Sequence, residues 1–182
     1  MKKCIRIIIN CFIVFISVVL LLLLFVSFSS KNDGLAKLGH YSFFNVEGDS
    51  MYPEIKNGDF IAIDRNVKDK YEPGDIISFL YEVGDGYIIV THEVIEVEES
   101  GNQYRYVTKG INNDENDEKK VLSNEIIGEY IDFRIPLLGY VVGFSRTNLG
   151  YLLLIVMPLG VVLLLSIYEL LKELGKVKKG EV

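Results

Sequence analysis

With 182 residues and 25 Asp and Glu against 19 Lys and Arg, a net charge of -6, the chain has room for one modest folded domain once membrane-crossing stretches are set aside. The acidic balance argues against a nucleic-acid-binding surface, which needs clustered cations. The two cysteines, Cys4 and Cys11, both lie at or within the apolar N-terminal run, so the folded part cannot rest on disulfides.

In chain order, Ile7 to Phe28 comes first, 22 residues without a charge. At ~1.5 Å per residue it forms roughly 33 Å of helix, enough to cross a hydrocarbon core of about 30 Å. A cleavable secretory signal also begins with basic residues and an apolar run. Here the apolar region is about twice the usual length and no A-x-A-like site closes it, so an uncleaved anchor is expected. Ser29 to Gly39 reads as a polar linker. Short segments rich in Ile, Val, Tyr and Phe follow: Phe43–Val46, Phe60–Asp64, Asp75–Tyr81, Tyr87–Glu98, Gln103–Thr108 and Glu125–Phe133. Turn signals separate them, among them Asn57-Gly58-Asp59, Pro73-Gly74-Asp75, Gly84-Asp85-Gly86 and Gly101-Asn102, a spacing that predicts an all-β barrel or sandwich. The acidic, Asn-rich stretch from Asn112 to Lys120 predicts a loop.

A second uncharged run, Leu149 to Tyr168, is long enough to span a bilayer, with Pro158 expected to kink it. Lys2, Lys3 and Arg6 precede the first run, and Lys172, Lys176, Lys178 and Lys179 follow the second, so both ends are expected in the cytoplasm. The expected division is an anchor over 1–28, an extracytoplasmic β-rich domain over 29–148, a second transmembrane helix over 149–168 and a basic cytoplasmic tail over 169–182. The outer domain then holds 12 Lys and Arg against 22 Asp and Glu.

The chemistry-bearing residues are few. Ser50 sits in Gly48-Asp49-Ser50-Met51-Tyr52-Pro53, where small and polar turn formers closed by a proline hold a hydroxyl on a tight bend suited to a nucleophile with an oxyanion hole. A serine nucleophile needs a base. Of the two histidines, His40 lies in the linker and reads as a surface residue, whereas His92 falls in the strand Tyr87–Glu98. A carboxylate to orient the imidazole could come from Asp114, Glu115, Asp117 or Glu118, among which spacing does not choose. One His and no Cys in the folded part are too few ligands for zinc, and no metal or other cofactor is expected.

These residues fall into ordered blocks: Gly48-Asp49-Ser50-Met51-Tyr52-Pro53, Asn57-Gly58-Asp59, Pro73-Gly74-Asp75-Ile76-Ile77-Ser78-Phe79, Val90-Thr91-His92-Glu93-Val94-Ile95, Thr108-Lys109-Gly110-Ile111-Asn112-Asn113 with Asp117, and Arg134-Ile135-Pro136-Leu137-Leu138-Gly139. From about Val46 to Gly143 the pattern resembles type I signal peptidases of the Ser-His class, found in the endoplasmic reticulum, in archaea and in some Gram-positive bacteria. Two positions depart from it: Glu93 stands where Arg is commoner, and Ile111 stands where the family has the first Asp of its acidic block.

The resemblance implies a mainly β fold, a coiled antiparallel sheet flanked by N- and C-terminal transmembrane helices. It implies Ser50 as nucleophile, His92 as general base and Asp117 as orienting carboxylate, with Asp114 as the substitute acid and Met51 lining a shallow substrate pocket. The implied protein is a multi-pass cell-membrane enzyme with its peptidase domain outside the cytoplasm. Its implied partners are secretory preproteins with their signal peptides, the lipid bilayer and the secretion machinery, with no nucleic acid. Because Ile111 removes one acid, a noncatalytic membrane-anchored β domain that binds exported proteins is the competing expectation. A membrane protease of related fold with other substrates is a third.

Overall fold

Turn residues cut the middle of the chain into eight strands, and a computed structural model shows how they pair; it describes residues 13–14, 17–18, 20–21, 35–101 and 103–178. The strands are β1 (Ala36–Leu38), β2 (Tyr41–Asn45), β3 (Phe60–Asp64), β4 (Ile76–Val83), β5 (Gly86–Ser100), β6 (Gln103–Lys109), β7 (Val121–Leu122) and β8 (Ile126–Ile135). They form one antiparallel sheet in the order β1-β2-β3-β8-β4-β5-β6-β7, curled into a half-barrel. The sheet neither closes into a barrel nor splits into a sandwich. Hairpins account for most of the order, whereas β8 departs from it by inserting between β3 and β4.

The β4–β5 hairpin follows from local chemistry. Val83 pairs with Gly86, leaving Gly84-Asp85 as a two-residue loop, and Gly84 takes φ 60°, the positive value that a primed hairpin turn needs at its first central position. Six strands lie where hydrophobic and turn patterning predicts them, each within three residues at either end. The other two, β1 and β7, are only three and two residues long, too short to show a period of two. β1 corrects the expectation that residues up to Gly39 are only linker.

Two apolar clusters form the core. One gathers Leu35, Phe44, Met51, Ile55, Ile61, Ile63 and Tyr130, the other Tyr71, Ile77, Phe79, Val94, Tyr106, Val121 and Ile126. Fully burying one such side chain contributes about 1.5–3 kcal/mol. Asp59 is the charged exception, 2% exposed. It accepts hydrogen bonds from the Lys56 N–H at 3.0 Å and from Arg134 Nη1 at 3.1 Å, tying the turn before β3 to β8. Arg134 is held above its ordinary pKa chiefly by that hydrogen bond. Arg134→Met strands the Asp59 carboxylate. A lower thermal midpoint is expected, partly recovered by Asp59→Asn.

Among the described residues, 35–101 and 103–141 make one compact unit. Beyond it lie the end of α1 (Leu138–Ser145), then α2 (Asn148–Tyr151), a π-type segment Leu152–Val156 and α3 (Met157–Lys178). Thr147 caps α2, its Oγ1 accepting from the Gly150 N–H at 3.0 Å. The π segment ends two residues before Pro158, whose missing N–H removes one rung of the helical ladder. Among the described residues one helix, Asn148–Lys172, is long and apolar enough to cross a membrane, with a mean hydropathy of 2.5. It contains the expected second span. Most of the expected first span, Ile7 to Phe28, lies outside the described residues.

Candidate active site

Ser50 lies in the turns that connect β2 to β3. Met51 and Ile55 sink into the core at 2% and 0% exposure, pinning the loop from below, and the Ile55 N–H donates to the Met51 carbonyl at 3.0 Å. The Tyr52 N–H bonds the Asp49 carbonyl at 3.1 Å, so the backbone folds back on itself around Ser50. The Ser50 carbonyl in turn accepts from the Asn112 N–H at 2.8 Å. That bond fastens the serine turn to the acidic loop after β6.

His92 projects from the middle of β5, opposite Ile77 of β4, and is 6% exposed. The Phe79 ring meets its imidazole edge-on, with centroids 6.3 Å apart. Its Nε2 stands 3.2 Å from Ser50 Oγ, and its Nδ1 stands 2.7 Å from Asp117 Oδ2. With the ring proton on Nδ1 donated to the carboxylate, Nε2 is left as the acceptor for the serine hydroxyl.

Asp117 is held from two sides. Its N–H donates to the Thr108 carbonyl at 2.8 Å, and Thr108 Oγ1 donates to its Oδ2 at 2.6 Å. One carboxylate oxygen therefore takes both the threonine hydroxyl and the imidazole N–H. Thr108 is wholly buried on β6, which pairs with β5, so the sheet register sets the threonine that holds Asp117 beside the strand that carries His92. Sequence reasoning passed over Thr108, although it opens the Thr108-Lys109-Gly110 block. Thr108→Val keeps the shape and deletes this donor. A hydrogen bond to a charged group contributes about 1.5–3 kcal/mol, so kcat/KM for the reaction proposed below is expected to fall at least about tenfold.

A second residue passed over is Gly110. A Cβ placed there would stand 2.6 Å from the Ser50 carbonyl oxygen and 2.9 Å from Ser50 Cβ. Only glycine lets the acidic loop approach the serine this closely.

A family model described as Peptidase S24-like matches residues 27–131. The chain belongs to the Peptidase S24-like family. A protein named Signal peptidase I W, from Bacillus subtilis (strain 168), is 30% identical over 126 residues, covering 68% of this chain and 64% of its own length. A Colletotrichum graminicola protein named Signal peptidase complex catalytic subunit SEC11 is 32% identical over 100 residues, covering 50% of this chain and 56% of its own. The chain thus spans less than two thirds of either relative. Both names bear out the likeness to signal peptidases that the sequence blocks carry.

In this S24-like chain the residues singled out from sequence separate clearly. Ser50, His92 and Asp117 are joined by hydrogen bonds. Asp114 is solvent-exposed in the acidic loop, while the imidazole's carboxylate contact is with Asp117. Met51, expected along a substrate pocket, is buried among core side chains beneath the serine turn. Ile111 is 36% exposed at the position of the missing acid, next to Gly110. His40 lies in the turn between β1 and β2, its ring centroid 4.1 Å from that of Tyr41. Among the described residues no group of three or more His, Cys, Asp or Glu side chains gathers closely enough to hold a metal ion.

Proposed function

We propose that this chain is a membrane-bound serine endopeptidase that removes N-terminal signal peptides from exported preproteins. The observation that carries this reading is the unbroken line Ser50 Oγ, His92 Nε2, His92 Nδ1, Asp117 Oδ2, with separations of 3.2 and 2.7 Å. Ser50 Oγ attacks the scissile carbonyl while His92 Nε2 takes its proton. The Asp117 carboxylate stabilises the imidazolium that forms and fixes its tautomer. His92 then returns the proton to the leaving amine, and water, activated by the same imidazole, hydrolyses the acyl-enzyme. The Ser50 N–H has no hydrogen-bond partner among the described residues and is free to serve the developing oxyanion.

The relatives named as signal peptidases support the substrate class. Preproteins present their cleavage sites where they leave the bilayer, and the apolar Asn148–Lys172 helix supports a membrane location for the enzyme. With both chain ends in the cytoplasm, the β domain faces outward and meets its substrate by two-dimensional search. The substrate binds extended, its backbone supplying affinity and shallow pockets selecting small side chains next to the cut. Asp117 lies in contact with His92 despite the loss at Ile111, which favours the catalytic reading over a noncatalytic binding domain. The test is cleavage of purified preproteins by the detergent-solubilised chain. A cut after a small residue supports the proposal; a folded protein inert across several preproteins overturns it.

A further inference from the structure

Gly110 leaves a space that two other groups share. Its Cβ, were there one, would stand 2.9 Å from Ser50 Cβ and 2.8 Å from Asn113 Nδ2, the nitrogen of a side-chain amide. The amide nitrogen therefore lies within about 6 Å of Ser50 Cβ, across a gap that only a glycine leaves open. Asn113 Nδ2 has no hydrogen-bond partner among the described residues, and the residue is open to solvent.

The loop is built to keep this donor in place. The Asn113 N–H donates to the Gly110 carbonyl at 2.9 Å, closing a turn, and the Asn112 N–H holds that turn on the Ser50 carbonyl at 2.8 Å. At the far end of the loop the Asp117 N–H returns to the Thr108 carbonyl. The acids around Asn113 cannot take its part. Asp49 Oδ1 accepts from the Asn57 N–H at 3.4 Å, and Asp114 and Glu115, which follow Asn113, accept hydrogen bonds but donate none when ionised.

When Ser50 Oγ bonds to the scissile carbon, the hydroxyl proton passes to His92 Nε2 and the carbonyl π pair moves onto oxygen, leaving an oxyanion three bonds from Ser50 Cβ. A donor about 2.7–3.1 Å from that oxygen stands up to about 6 Å from Cβ, and Asn113 Nδ2 is inside that distance. The Ser50 N–H supplies one hydrogen bond, whereas the carboxylates of Asp49, Asp114 and Glu115 oppose a new negative charge. We propose that Asn113 Nδ2 donates the second hydrogen bond to the oxyanion, which makes Asn113 a catalytic residue beside Ser50, His92 and Asp117. This rests on the endopeptidase reading above.

The test uses the full chain in detergent and a peptide spanning a signal-peptide cleavage site, with circular dichroism to establish folding. Asn113→Asp keeps the side chain's shape and Asn113→Ala removes it; both delete the donor. Each is expected to lower kcat about 10²-fold or more while KM moves less than about threefold. A peptide boronate, whose adduct with Ser50 puts an oxygen where the oxyanion forms, is expected to bind both variants about 10²-fold more weakly. A kcat change below about threefold in Asn113→Ala, or a loss confined to KM, overturns the proposal, the second outcome assigning the amide to ground-state binding. If the wild type cuts no peptide, the endopeptidase reading fails, and Asn113 is judged on the labelling of Ser50 by an alkyl fluorophosphonate. In that reaction the Oγ–P bond forms as P–F breaks, fluoride leaves, His92 takes the proton and the phosphoryl oxygen occupies the oxyanion's place. Labelling at least about tenfold slower in Asn113→Ala sustains the proposal. Equal rates, or a wild type that is not labelled, overturn it.

Discussion

Replacing Ser50 by Ala, or His92 by Ala, is expected to lower preprotein cleavage by about 10⁴-fold or more, with the fold intact. The hydroxyl and the imidazole act as one unit, so the double variant is expected to lose little more than either single one. Asp117→Asn belongs to the same set: an amide in place of the carboxylate reverses the hydrogen bond to Nδ1, favours the wrong tautomer and removes the charge that stabilises the imidazolium. A drop of about 10⁴ in kcat is expected there as well. Single-turnover rates against one preprotein, with circular dichroism to establish folding, provide the check. Full activity in Ser50→Ala overturns the assignment of the nucleophile. Full activity in Asp117→Asn together with loss in Asp114→Asn would move the acid to Asp114.

The second large effect is expected from a methyl group. In Gly110→Ala the new Cβ would lie 2.6 Å from the Ser50 carbonyl oxygen, closer than non-bonded atoms approach, so the acidic loop or the serine turn must retreat. Met51 and Ile55 hold the turn in the core, and the Asn112 N–H ties the loop to that same carbonyl. Neither side yields without altering the Ser50 Oγ to His92 Nε2 separation. A displacement of about 1 Å at the reacting atoms costs about 10²-fold, and that loss is expected in kcat more than in KM. Hydrogen–deuterium exchange across residues 108–117 would report the retreat independently. Unchanged kcat in a folded Gly110→Ala would mean that the close approach has no bearing on the nucleophile.

How far the molecule could be read from its residues differs from element to element. The β4–β5 hairpin was legible because Gly84-Asp85 dictates a primed turn and its flanks are rich in β formers. The insertion of β8 between β3 and β4 was not, since pairing between strands far apart in the chain leaves no local signature. Ser50 and His92 stood out because a serine on a proline-closed bend and one histidine within a strand are scarce features. Spacing did not choose among the four acids and the family resemblance pointed to Asp117; in three dimensions the loop's return to the Thr108 carbonyl brings that residue, rather than Asp114, against the imidazole. Thr108 and Gly110 escaped notice because one resembles any strand threonine and the other any loop glycine.

The place of β8 also bears on when the protein becomes competent. The serine turn belongs to the hairpin of β2 and β3, the histidine and its acid to the run from β4 to β7, and β8 is the strand that zips these halves into one sheet. Because β8 is made last of all the strands, a nascent chain halted before Ile126 holds every residue of the serine, histidine and aspartate set yet lacks the rung that aligns them. Contacts between distant parts of a chain form late, since loop closure must precede them. During synthesis, then, the two halves of the sheet stay unjoined until β8 arrives, and the helix Asn148–Lys172 comes later still.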